Sequence, residues 1–264
     1  MKERSPLLDG AVTELYGVIK IAMRTFCAYS GSIKHLLNTR ALGLWIALIL
    51  MLVPIFAAAH NISGDNARFV EGLEGPAVIP YMYLGAKHMV TGYDHLLYLV
   101  GVVFFLQRLK DVLLYVSLFT LGHSITLMGG VILEWNVNAY LIDAIIGLSV
   151  AYKAFENING FKQVFGFQLN ARLAVLVFGL FHGLGLATKL QDLSLSADSL
   201  VVNMLSFNVG VEIGQAIALT CIVLVLSQWR HRSSFSLQAF VANTILMSLG
   251  FMLAGVQLSA YLWA

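Results

Sequence analysis

The sequence has little charge, few prolines and almost no cysteine. Only 11% of its 264 residues are charged, whereas 59% are hydrophobic, and the mean hydropathy is +0.81. This composition excludes an ordinary soluble domain. The two cysteines, Cys27 and Cys221, lie far apart in the chain, which excludes a disulfide framework and a CxxC metal site. The sequence therefore indicates a membrane protein that does not depend on thiol chemistry.

An excess of charge of one sign is also missing. The 16 Lys+Arg and 14 Asp+Glu residues leave a net charge of +2, which is too small to attract nucleic acid through a general basic field. No nucleotide-binding loop of the GxxxxGK type is present in the sequence. Long apolar runs favour membrane-spanning helices. Any partner must therefore be recognised through local sites.

Seven stretches are long and apolar enough to cross a bilayer, which takes about 20 residues. Residues 60–264 are predicted to form an all-α polytopic membrane bundle of six core transmembrane helices. A cytoplasmic tail, 1–40, and a signal peptide or signal-anchor helix, 41–59, precede it. Cleavage after Ala59 would expose His60, whose amine and imidazole could chelate a metal. The apolar stretches cover residues 41–59, 80–106, 111–133, 138–158, 171–189, 200–227 and 236–262.

The basic residues predict the orientation of the chain, because Lys and Arg near span ends are retained in the cytoplasm. With the N-terminus inside and the C-terminus outside, only Arg68 and Lys189 fall on the outer side. The inner loops then hold Arg108, Lys110, Lys162, Arg172, Arg230 and Arg232.

Ionisable side chains recur inside the predicted spans. Each costs about 2.5–3.5 kcal/mol on insertion scales, so it normally faces the bundle interior and marks an ion path, a ligand site or a structural pair. A rise of about 1.5 Å per residue places most of them near the membrane midplane, with His88 nearer the outer side. Asp143 and Glu156 are further candidates near the two ends of one span. The predicted metal ligands are His88, Asp94, His95, His123, His182 and Glu212.

Imidazole and carboxylate groups suit borderline divalent ions, namely nickel, cobalt, zinc or copper, and their spacing does not choose among these metals. Four polar neighbours are predicted to orient the ligating imidazoles: Thr120, Ser124, Asn208 and Gln215. The alternative interpretation is that each polar residue only packs between helices through hydrogen bonds.

Four motifs together resemble the HupE/UreJ family over residues 60–264. They are His88-x5-Asp94-His95, Phe119-Thr120-x2-His123-Ser124, Phe181-His182-Gly183 and Asn208-x-Gly210-x-Glu212-x2-Gln215. The resemblance implies a multi-pass protein of the bacterial inner membrane, regarded as a nickel or cobalt permease and associated with hydrogenase and urease maturation. Lys189 departs from the family pattern, which has an acidic residue there.

The leading functional prediction is a divalent transition-metal permease, a transporter rather than an enzyme, driven by a gradient or a partner. One alternative is an intramembrane zinc hydrolase in which Asp94 or Glu212 activates water. Another is a metal-binding structural or delivery subunit of a membrane assembly. The predicted partners are a metal ion, the lipid bilayer and a membrane-protein partner or second copy.

Overall fold

The apolar runs fold into helices that pack side by side. A computed structural model describes residues 75–191 and 199–263, which belong to one compact unit. These residues contain helices and no strand, so the predicted all-α membrane helix bundle is confirmed. The helices are α1 (Val78–Thr91), α2 (Tyr93–Val103), α3 (Leu109–Ile132), α4 (Ala139–Asn157), α5 (Gly160–Phe165), α6 (Ala171–Gln191), α7 (Leu200–Arg230) and α8 (Phe235–Trp263).

Several sequence predictions concern residues outside this description. The tail 1–40, the segment 41–59 and His60 all precede the first described residue. They remain predictions.

Four of the helices, α3, α6, α7 and α8, are long and apolar enough to cross a membrane. Large apolar side chains also cover their outward faces. Leu224 and Val225 of α7, for example, are 61% and 67% exposed. A helix keeps its backbone hydrogen bonds internal, so such a face can contact lipid without leaving polar groups unpaired. The chain is therefore a multi-pass membrane protein.

The stretch predicted as one span over 80–106 is divided into two helices. Gly92 has φ −72° and ψ 99°, an extended conformation that ends α1 and precedes α2. A side chain at this position would meet the carbonyl oxygen of His88, because an added Cβ would lie 2.8 Å from it. The break therefore falls inside the His-x5-Asp-His motif and separates His88 from His95.

Three helix pairs carry most of the packing: α3 with α6, α1 with α7, and α4 with α8. Glycine permits the close approach in each pair. A Cβ added at Gly183 of α6 would collide with the carbonyl oxygen of His123 on α3, and one at Gly210 of α7 with that of Met82 on α1. Gly147 of α4 makes the same kind of contact with α8. Small residues allow membrane helices to pack backbone to backbone, and here they bring the polar residues of different helices together.

An arginine from α7 satisfies the carbonyl groups at the end of α2. The last carbonyls of a helix have no partner within it. The Arg230 guanidinium donates to the carbonyl oxygens of Val103, Phe104 and Leu106 at 2.6–3.2 Å. This contact joins the end of α2 to the end of α7.

Candidate metal centre

Four histidines from four helices meet in the core of the bundle. His88 lies on α1, His95 on α2, His123 on α3 and His182 on α6. The ring of His95 is central: its centroid lies 4.9 Å from that of His88, 5.7 Å from that of His123 and 4.8 Å from that of His182. His95, His123 and His182 are buried. The structure therefore brings all four predicted histidines into one group, the histidine cluster.

Three of these rings place nitrogens near a common point. One nitrogen each from His88, His95 and His123 lies within 4.8 Å of the other two. Metal–imidazole bonds of about 2.0–2.1 Å put two ligands of one ion no more than about 4.2 Å apart. Small rotations of the rings would bring these nitrogens to that separation. In the described part of the chain, no other group of three His, Cys, Asp or Glu residues meets the 4.8 Å distance.

Asp94 orients the central histidine. Its Oδ1 accepts hydrogen bonds from the His95 Nδ1, at 3.0 Å, and from the His95 backbone N–H, at 2.9 Å. Because Nδ1 carries the proton in this arrangement, Nε2 has a free lone pair. A carboxylate behind an imidazole is the usual arrangement around a ligating histidine. This geometry suits Asp94, predicted as a ligand, to positioning His95 rather than to binding the ion itself.

We expect Asp94→Asn to weaken metal binding about 10- to 100-fold, as loss of such a partner commonly does. The neutral amide can accept only a weaker hydrogen bond from Nδ1, so it fixes this tautomer less firmly and does not raise the basicity of His95 as the carboxylate does. Calorimetric titration of purified protein with Ni²⁺ measures the affinity. Asp111→Asn, twelve residues and about 18 Å along α3 from His123, is the control. Equal affinities of Asp94→Asn and wild type would contradict the assignment.

Ser149 orients the fourth histidine, although it is not among the site residues predicted from the sequence. Its hydroxyl donates to the carbonyl oxygen of Ile146 at 2.6 Å and lies 3.1 Å from the His182 Nε2. Since the hydroxyl proton is used in the first bond, Nε2 must donate in the second, which leaves the lone pair on Nδ1. A small polar residue within an apolar span is the signal that could have indicated it.

The histidine cluster holds more unpaired nitrogens than packing alone explains. Buried polar groups are normally hydrogen-bonded, and each one left unpaired costs about 1–3 kcal/mol. Unprotonated imidazole nitrogens are good ligands for Ni²⁺, Co²⁺, Zn²⁺ and Cu²⁺, so the donor set fits a borderline divalent cation. The nitrogens that are buried and have no hydrogen-bond partner among the described residues are His88 Nε2, His95 Nε2, His123 Nδ1, His123 Nε2 and His182 Nδ1.

Two of the four residues predicted to orient the imidazoles, Thr120 and Gln215, are hydrogen-bonded to each other instead. Thr120 Oγ1 donates to Gln215 Oε1 at 2.9 Å and so joins α3 to α7. The side-chain oxygen of Asn208, Oδ1, is buried without a hydrogen-bond partner in the described residues, and Ser124 is half-buried. None of the hydrogen bonds described here joins these four residues to a cluster histidine.

Glu212 differs from the clustered histidines in its burial. Its side chain is exposed, whereas Val211 and Gln215 of the same helix are buried. A step of one residue turns an α-helix by about 100°, so Glu212 faces outward where Val211 faces the core. We therefore leave Glu212 out of the proposed ligand set.

The two further candidates on α4 each pair with a lysine. Lys189 Nζ lies 3.1 Å from one carboxylate oxygen of Asp143 and 3.2 Å from the other. Lys153 Nζ donates to Glu156 Oε2 at 2.8 Å. Ser149, which contacts the histidine cluster, lies between the two carboxylates in α4, about 9–10 Å from each along the helix axis. One ion pair therefore flanks the histidine cluster on each side.

Fold and site together define a multi-pass membrane protein with a buried histidine cluster suited to a divalent cation. A family model described as HupE / UreJ protein matches residues 65–264. The chain belongs to the HupE/UreJ family, which confirms the resemblance of its motifs. Searches of the curated proteins and of the solved structures found no match.

Proposed function

We propose that this protein carries a divalent transition-metal ion, of the nickel and cobalt type, across the membrane and that the histidine cluster binds the ion on its way. The observation that carries the proposal is the set of buried imidazole nitrogens that have no hydrogen-bond partner among the described residues. The family is associated with nickel and cobalt transport, which supports this class of ion. His88, His95, His123 and His182 bind the ion, while Asp94 and Ser149 hold two of the rings in their ligating orientation.

The chemistry of the ligands favours passage over permanent retention. Conduction requires a site that binds strongly enough to admit an ion and weakly enough to release it. The donors are imidazole nitrogens, and the carboxylate of Asp94 is engaged in a hydrogen bond with His95. Each ligand also comes from a different helix, so a small movement between helices changes the coordination of the ion.

Flux into proteoliposomes tests the proposal. Wild-type protein should admit Ni²⁺ or Co²⁺ to an enclosed fluorescent chelator under an inside-negative potential. The double variant His95→Ala, His123→Ala should match protein-free vesicles. His231→Ala, at an exposed position, should behave as wild type. Metal binding without flux in the wild-type protein would reject the permease and favour a delivery subunit, whereas product release from the lipid would favour a hydrolase.

We further propose that the protein lies in the bacterial cytoplasmic membrane with its N-terminus inside. Cysteine labelling of a variant without Cys27 and Cys221 tests this orientation. In intact cells an impermeant maleimide should label Asn136→Cys, in the α3–α4 loop, and should reach Ser233→Cys, in the α7–α8 loop, only after permeabilisation. Both positions are exposed. The reverse pattern of labelling would overturn the orientation.

A further inference from the structure

Two tyrosines, one of which adjoins the histidine cluster, have buried hydroxyl groups with no hydrogen-bond partner in the described part of the chain. Tyr98 is fully buried, with its ring centroid 5.2 Å from that of His182. Tyr152 packs on Phe178, which also contacts Tyr98, at 5.1 Å and 5.9 Å. Both hydroxyl oxygens are buried without a hydrogen-bond partner in the described residues. Because buried hydroxyl groups are normally hydrogen-bonded, this region is suited to bind a polar ligand or an ion.

A buried ion pair follows the tyrosines. Glu156 lies four residues after Tyr152 on α4, so the two side chains share one face of the helix. The side chains of Lys153 and Glu156 are only 9% and 13% exposed. Removing two charges from water costs several kcal/mol per ion, and an apolar pair of similar volume is often at least as stable. Stability alone is therefore a poor explanation for this pair.

The surroundings of the pair continue the polar route. Asn157 Nδ2 donates to the Gly101 carbonyl oxygen and to Asn243 Oδ1, both at 2.8 Å. Glycine at position 101 leaves room for the lysine stem, because an added Cβ would lie 3.1 Å from Lys153 Cγ. Polar groups of α2, α4 and α8 thus extend about 10 Å along α4 from the histidine cluster to Glu156.

We propose that Glu156 is the exit site of the metal path and that Lys153 is its resident counter-cation. The inference rests on the proposed function. An ion leaving the histidines passes the hydroxyl oxygens of Tyr98 and Tyr152 and reaches the carboxylate as the Lys153 ammonium moves aside. The lysine can do so because its charge sits on a flexible four-carbon stem. When the ion leaves, the ammonium returns to Glu156 and closes the path.

Replacing the pair separates a transport role from a structural one. Glu156→Gln should reduce Ni²⁺ uptake in proteoliposomes to the rate of protein-free vesicles, with nickel bound per chain unchanged. The double variant Lys153→Met, Glu156→Gln has no uncompensated buried charge, so it should fold, and it should also fail to transport. Thermal unfolding in detergent checks the fold. Lys162→Met, the same change at an exposed lysine, should leave uptake unchanged.

The outcomes are distinguishable. Uptake by the double variant at the wild-type rate would overturn the exit site, because a purely structural pair can be replaced by a neutral one. Loss of nickel binding in Glu156→Gln would overturn it too, whereas absence of uptake by wild-type protein would reject the proposed function itself. If the double variant does not fold, Tyr152→Phe decides: slower uptake with unchanged nickel binding supports the path, and wild-type uptake overturns it.

Discussion

Purified wild-type protein should bind about one nickel ion per chain, and His95→Ala should bind none. His95 is the central ring, in contact with the rings of His88, His123 and His182. Removing it takes away one of the three nitrogens that approach a common point. It also leaves Asp94 without the imidazole to which it is hydrogen-bonded. Of the three nitrogens that approach a common point, only those of His88 and His123 then remain, and two ligands are fewer than the three or four that such an ion takes from a protein site.

Elemental analysis after equilibrium dialysis against Ni²⁺ measures this effect directly. His231→Ala is the matched control, because it removes an exposed histidine from the α7–α8 loop without touching the histidine cluster. It should retain the nickel content of the wild-type protein. Equal nickel content in wild type and His95→Ala would contradict the assignment of the metal centre.

The second large effect concerns helix packing. Gly183→Leu should lower the free energy of unfolding by about 3 kcal/mol or more, because even a Cβ at this position would collide with the His123 carbonyl oxygen and lie 2.5 Å from Thr126 Oγ1. To relieve the collision, α3 and α6 must separate. That movement would break the bond from Thr126 Oγ1 to the Leu180 carbonyl oxygen, which is 2.6 Å long.

Gly255→Leu on α8 provides the comparison, since nothing lies within 4 Å of a Cβ added there. Both variants insert the same side chain into a long apolar helix, so their difference isolates the contact between α3 and α6. Unfolding followed by circular dichroism in detergent gives the two stabilities. Similar stabilities would show that the α3–α6 contact can relax to accept a larger side chain.

The helices and the four clustered histidines could be predicted because both stand out chemically. Apolar runs of spanning length have few alternatives to a membrane helix. An imidazole within such a run is costly unless it faces the protein interior, so the positions of His88, His95, His123 and His182 already suggested convergence. Hydropathy has no comparable signal for backbone conformation. The sequence therefore predicts one continuous span where the structure has a break at Gly92.

The sequence predicts less well which side chains of a helix face the protein core and which face the lipid. A membrane helix can be apolar all round, so its pattern does not distinguish the core face from the lipid face. For that reason Glu212 was grouped with the histidines, although it is exposed. Ser149 gives only a weak signal in the sequence, because a hydroxyl is common in such helices; its contact with His182 identifies its role.

The pairing of α1 with α7 also has a consequence for how the protein is made. The chain between the end of α1 at Thr91 and the start of α7 at Leu200 must be synthesised before the two helices can meet. At about 5–20 residues per second the ribosome needs roughly 5–20 s for this length. During that time α1, which carries His88, has not yet gained its main packing surface. The metal centre is therefore completed late in biogenesis, and a nascent chain that stops before α7 lacks the helix that holds its first histidine in place.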